Sequence, residues 1–159
     1  MRAIHSRSLV AIAITFLAAC GGTKTPTSPS QQGPLTLTVT QAPAFDGGPG
    51  TVRFWVALKN TGAETVTLNF PSSCQVMPYI AERSSARIVH PAGGAWGCAT
   101  VLTTLTLVSG ESRIDAITVA TVTAIPEVVR LPPGDYVIYA KVDDAKYHLQ
   151  SASYRFTLQ

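Results

Sequence analysis

The sequence predicts an all-β protein, an antiparallel β-sandwich of about 7–9 short strands. Three observations lead there. From Leu35 onward the apolar residues recur with a period of two rather than 3.6. The alternating runs are rich in β-branched and aromatic residues. Clusters of Gly, Pro, Asn and Ser separate them at short intervals. Strict alternation means strands with one face buried and the other wet, and β-branched or aromatic side chains fit that half-buried surface.

Taken in order, Leu35, Leu37 and Val39 alternate with three threonines. Val52, Phe54, Val56 and Leu58 alternate with Thr51, Arg53, Trp55, Ala57 and Lys59. Val66, Leu68 and Phe70 follow the Asn60-Thr61-Gly62 turn. Late in the chain Tyr136, Ile138, Ala140 and Val142 form one face, and Ala152, Tyr154, Phe156 and Leu158 another. Turns are expected at Asp46 to Gly50, Pro71 to Ser73, Gly93-Gly94, Ser109-Gly110 and Pro132 to Asp135. Helix is expected nowhere beyond a short possibility near Ala81 to Ser85. Between Ser112 and Val122 the apolar face changes parity, from Ile114 and Ala116 to Ile117 and Val119, which predicts a bulge or a crossing between sheets. The number of short strands and their turn spacing point to an immunoglobulin-like sandwich over residues 35–159.

The N-terminus carries a different message. Arg2 and Arg7 precede an apolar run, Leu9 to Leu17, that ends in Leu17-Ala18-Ala19-Cys20. From Leu9 to Ala19 the run spans only about 16 Å as a helix, against a hydrocarbon core of roughly 30 Å, so a spanning helix is excluded. A basic start, a short apolar stretch and small residues before the cut describe a signal peptide, residues 1–19. The Leu-small-small-Cys order resembles bacterial lipoproteins. That resemblance implies a diacylglyceryl thioether on Cys20, often with a further N-acyl chain. Gly21 and Gly22 stand where an Asp would retain the protein at the inner membrane, so the outer membrane of a Gram-negative envelope is predicted. Residues 21–34, GGTKTPTSPSQQGP, hold no aliphatic or aromatic side chain. With the lipidated Cys20 they read as a flexible tether, 20–34.

Charge excludes one class of partner. The chain holds 12 basic and 9 acidic residues, and two of the basic ones are Arg2 and Arg7. The remainder is nearly neutral, which gives no electrostatic reason to expect nucleic acid. With Cys20 assigned to lipid, Cys74 and Cys98 are left in an oxidising compartment and read as a disulfide; two separate buried thiols or a metal pair are the alternatives. A loop of this length is stabilised by about 3 kcal/mol when closed.

Catalytic and cofactor signals are weak. No Gly-x-Ser-x-Gly elbow, Walker or dinucleotide motif and no Cys-x-x-Cys occurs. After the leader only His90 and His148 remain, and nothing marks either as catalytic. Asp143, Asp144 and Asp46 lack the ordered spacing of a calcium loop. No metal and no cofactor is therefore expected. Trp96, among glycines beside Cys98, could contact a partner or pack over the disulfide, and Trp55 falls on the face opposite Phe54 and Val56.

The stretch from Val52 to Val142 resembles the intracellular proteinase inhibitor family typified by the BsuPI domain of bacilli. The likeness rests on Phe54 to Gly62 followed by Val66-Thr67-Leu68-Asn69-Phe70 and Ser72-Ser73, on Val76 to Glu82, and on Leu107 to Ser112 with Leu131 to Tyr136. It implies an immunoglobulin-like fold and inhibition of a protease. The residues themselves suggest a non-enzymatic, lipid-anchored envelope module that binds an unknown envelope protein or protease, with a proteinase inhibitor of the BsuPI type and a glycan- or ligand-binding sandwich as alternatives. Replacing Cys20 with Ala should abolish acyl labelling and move the protein out of the membrane fraction; a variant that still takes up labelled palmitate there would reject the lipid assignment.

Overall fold

The computed structural model describes residues 30–43, 48–121 and 128–159. The signal peptide expected over residues 1–19, Cys20, most of the expected tether and Asp46 lie outside the described residues. What is described is all-β, and its sheets pack as a sandwich. Twelve strands are present among these residues, of which eight have five residues or more. The first sheet runs, in spatial order, β1 (Ser30–Gln32), β2 (Leu35–Gln41), β3 (Thr51–Asn60), β8 (Ser112–Ala120) and β9 (Val129–Arg130). The second centres on β10 (Gly134–Asp143). One edge of β10 pairs with β5 (Val76–Glu82), which in turn pairs with β6 (Ile88–His90). Its other edge takes β11 (His148–Gln150) and β12 (Tyr154–Leu158) in succession. A small third sheet pairs β4 (Val66–Phe70) with β7 (Thr103–Leu107).

Alternation does what it predicts. Leu35, Leu37, Phe54, Val56 and Leu58 from the first sheet are buried in one cluster with Ile80, Ile138, Ala140, Val142 and Phe156 from the second. Phe54 meets Phe156 at 4.8 Å and Tyr154 edge-on at 5.6 Å between ring centroids, so aromatic packing joins the two layers. Tyr136 enters β10 from the Pro132-Pro133 turn and donates its hydroxyl to the Pro132 carbonyl at 2.8 Å. This is the tyrosine corner found in immunoglobulin-like sandwiches, and it fixes how the chain enters the central strand.

Asn60 ties two chain reversals together. It is fully buried at the end of β3. Its side-chain amide donates to the Glu64 carbonyl at 2.7 Å and to the Leu107 carbonyl at 3.0 Å, while its Oδ1 accepts from the Gly62 amide at 2.9 Å. Its backbone N–H donates to Glu111, and its carbonyl accepts from Gly110, both at 2.9 Å. One residue thus links the β3–β4 reversal to the β7–β8 reversal. Gly110 supports this with φ of 79°, a left-handed conformation that glycine adopts without strain.

Four details depart from expectation. Pairing starts at Ser30, inside the segment whose composition predicts tether, because β1 needs only backbone hydrogen bonds to β2 and a turn at Gly33, φ 59°. Residues 83–85 form a turn after β5, not helix. The β8–β9 pair is parallel, so the first sheet is not wholly antiparallel. No bulge interrupts β8, whose register on β3 is continuous from Ser112 to Ala120. The parity change has another cause. Arg113 and Asp115 occupy the side that Ile117 and Val119 continue, and Ile114, 58% exposed, faces out. Arg113 pairs with Asp115 at 3.2 Å and donates to the Gln75 side-chain carbonyl. Among the described residues, β8 has no partner strand on its far side before Val119. Inward charge on such an edge deters pairing with other chains.

Asn60→Ala should lower unfolding free energy by about 3 kcal/mol, because the buried Leu107 carbonyl and the partly buried Glu64 carbonyl both lose their donor. Thr67→Ala, at an exposed position of β4, should cost no more than about 0.5 kcal/mol. Urea titration of both variants checks this, and equal losses would remove Asn60 from its role.

Candidate functional site

Alternation along β5 and β10 sends two sets of side chains in opposite directions. Ile80, Ile138, Ala140 and Val142 go to the core. Tyr79 and Tyr139 project from the outside of the second sheet. They are direct cross-strand partners, and their rings stack at 5.4 Å with an interplanar angle of 11°. Lys141 lies two residues further along the same face, its Nζ 5.4 Å from the Tyr79 ring centre and 5.8 Å from that of Tyr139. Burial raises the pKa of the Tyr139 hydroxyl above its ordinary value, with the neighbouring Tyr79 adding to the shift.

The chain leaves β6 through a cis His90–Pro91 bond and turns at Gly93 and Gly94, both at positive φ. This returns Trp96 to the tyrosines. Its ring meets Tyr79 edge-to-face at 6.5 Å and His90 edge-to-face at 5.1 Å. Burial lowers the His90 pKa, which favours the neutral ring. Trp96 is half-buried on the outside of the sheet. It therefore takes neither of its expected places entirely: it is not a plug in the core, and it does not stand free.

Two residues on, Cys98 is joined to Cys74 with Cα atoms 5.5 Å apart. The clip is reinforced on both sides. The Ser73 amide donates to the Ala99 carbonyl at 3.0 Å, and the Ala99 amide donates to Ser73 Oγ at 2.9 Å. Thr103 Oγ1 donates to the Ser72 carbonyl at 2.8 Å, where β7 begins. Between these fixed points Val101 is 50% and Leu102 84% exposed. Pattern reading did not single out this segment, because a short apolar pair before a strand looks like the strand's start. Tyr139 was legible as an outward position of its run; Tyr79 was not, because Val76–Glu82 shows no apolar alternation.

The other candidates separate. Trp55 sits half-buried on the outer face of the first sheet, between Thr40 and Ala116 in register, so the two tryptophans lie on opposite faces of the sandwich. Asp144 is buried, and its carboxylate accepts backbone N–H bonds from Asn69 at 3.0 Å, from Lys146 at 2.9 Å and from Tyr147, which makes it a brace between β4 and the β10–β11 turn. Asp143 and His148 form an exposed pair. Among the described residues no group of three or more His, Cys, Asp or Glu is placed to hold a metal ion. No described helix is long and apolar enough to cross a membrane.

No family model matches the chain, and no curated protein matches it in sequence. Among solved structures it is similar to the β-glucosidase EmGH1 of Erythrobacter marinus, with 16% identity and a TM-score of 0.42, covering 82% of this chain and 16% of that one. A β-glucuronidase of Bacteroides uniformis shows 15% identity and a TM-score of 0.41, covering 77% and 13%. A mutant β-glucosidase of Listeria innocua, solved with laminaribiose, shows 11% identity and a TM-score of 0.40, covering 82% and 16%. The chain thus spans less than a fifth of the length of these enzymes. Likeness this slight assigns neither reaction nor substrate to the chain.

The Cys74–Cys98 link closes a loop with a sequence separation of 24, which should contribute about 3 kcal/mol. The double variant Cys74→Ser/Cys98→Ser should melt several degrees lower than the oxidised protein. Equal melting temperatures would show that the hydrogen bonds alone hold the clip.

Proposed function

We propose that this protein is a non-enzymatic, lipid-anchored interaction module of the bacterial cell envelope, held by Cys20 at the outer membrane, which presents the clipped segment from Cys98 to Thr103 to a protein partner. One observation carries the reading. Leu102 stands 84% exposed on a short segment whose two ends are fastened to the Ser72–Cys74 turn. A large apolar side chain in water is costly to keep there, and a fastened segment loses little conformational entropy when it docks. Anchors of this kind dominate interface energies when they enter a pocket.

The same observation favours a second reading, a proteinase inhibitor. A rigid, projecting loop with a central Leu suits the primary pocket of a protease that prefers large apolar residues, and fastening on both flanks would slow release after any cleavage. The resemblance to the BsuPI family agrees with this reading.

A photo-crosslinker placed at position 102 in cells should capture one envelope protein, and one at Lys59, exposed at the end of β3, should not. Identical products from both positions, or none from 102, would reject the docking segment. Purified protein should inhibit subtilisin or chymotrypsin stoichiometrically, and Leu102→Asp should weaken inhibition by at least about a hundredfold, or about 2.7 kcal/mol. Rapid cleavage after Leu102 without inhibition would leave the adaptor reading and dismiss the inhibitor.

A further inference from the structure

The outer face of the second sheet carries a different chemistry from the clipped segment. We propose that this face binds an acidic polysaccharide. Its centre is aromatic: Tyr79 and Tyr139 stacked at 5.4 Å, with Trp96 against Tyr79 at 6.5 Å. All three are half-buried on the outside of the sheet, and the Trp96 indole N–H is buried there with no hydrogen-bond partner among the described residues. Rings of this kind pack on the apolar C–H faces of sugars while their polar tips hydrogen-bond.

Charge selects among sugars. Lys141 lies over both tyrosine rings, and exposed Arg155 sits on the neighbouring strand, opposite Val137 in register. Neither has a carboxylate partner among the described residues. The acidic groups of β10 stand at its two ends and are engaged there, Asp135 with Thr157 Oγ1 at 2.6 Å and Asp143 with His148. The middle of the face is therefore cationic and aromatic together, which complements a sugar carboxylate. Among the described residues the exposed large aliphatic side chains are Val101, Leu102, Val108 and Ile114, and none belongs to β5, β6, β10 or β12. A protein partner or a lipid surface would call for such residues here; a carbohydrate does not. Four adjacent strands give the face a width of roughly 14 Å, enough for a short run of sugar units.

The test uses the full chain in detergent and three immobilised polymers: polygalacturonate, neutral dextran and poly-glutamate. Polygalacturonate should retain the protein and change tryptophan fluorescence. Trp55→Phe should preserve that change and Trp96→Phe remove it. Arg155→Gln and Lys141→Gln should each weaken retention about tenfold. Arg155 is exposed, so its variant keeps the fold, which a melting curve verifies. Equal retention on poly-glutamate would reduce the face to a generic anion binder, and equal retention on dextran would dismiss the role of charge. No retention on polygalacturonate, or retention unchanged in both charge variants, would also overturn the proposal. None of these outcomes bears on crosslinking at Leu102, so either reading can fail alone.

Discussion

A buried amide must find partners for every donor and acceptor it carries, and Asn60 finds them in two places that the chain visits about 50 residues apart. The β3–β4 and β7–β8 reversals carry strands between the first sheet and the small β4–β7 sheet. If they slid past one another, β8 would lose its register on β3, and β7 its register on β4. Hydrophobic burial alone would not prevent that slip. Leu58, Leu68 and Leu107 could trade places within an apolar interior at modest cost, because burial is non-directional. Directed hydrogen bonds from one side chain set the relative height of the two layers, and the core then fills around that choice.

The inward faces were legible because two-residue alternation is a physical consequence of the pleat. Leu35, Phe54, Leu68, Ile138 and Phe156 all lie where the period puts them. Asn60 was visible only as part of a turn. Its role depends on Leu107 and Glu111, which local pattern cannot bring near it. The edge of β8 was misread because alternation was followed through apolar residues alone, and Arg113 and Asp115 hold the inward positions there. β1 escaped notice because backbone pairing leaves no trace in hydrophobicity.

Of the candidate site, the disulfide and Trp96 were legible from residue type and context. The pairing of Tyr79 with Tyr139 was not, since it follows from the β5–β10 register and from nothing adjacent in sequence. The disulfide serves both surfaces. On one side of Cys98 it steadies the return of Trp96 to the aromatic face, and on the other it fastens the segment bearing Leu102. A single cross-link thus removes conformational freedom from two neighbouring elements of different chemistry, and each is organised before it meets anything.

The charged pair on β8 has a further consequence for a domain confined to a surface. A lipid anchor of the kind proposed confines molecules to two dimensions, where neighbours meet far more often than in free solution and with a restricted range of orientations. Sheet edges that would rarely find each other in bulk become a route to lateral polymerisation. Arg113 and Asp115 place an ion pair on the core side of that edge, close to Gln75, so an incoming strand would have to shift or desolvate charge to lie flush. If the domain is anchored as proposed, the pair would contribute little to holding it folded and would act mainly against strand-to-strand assembly between crowded neighbours.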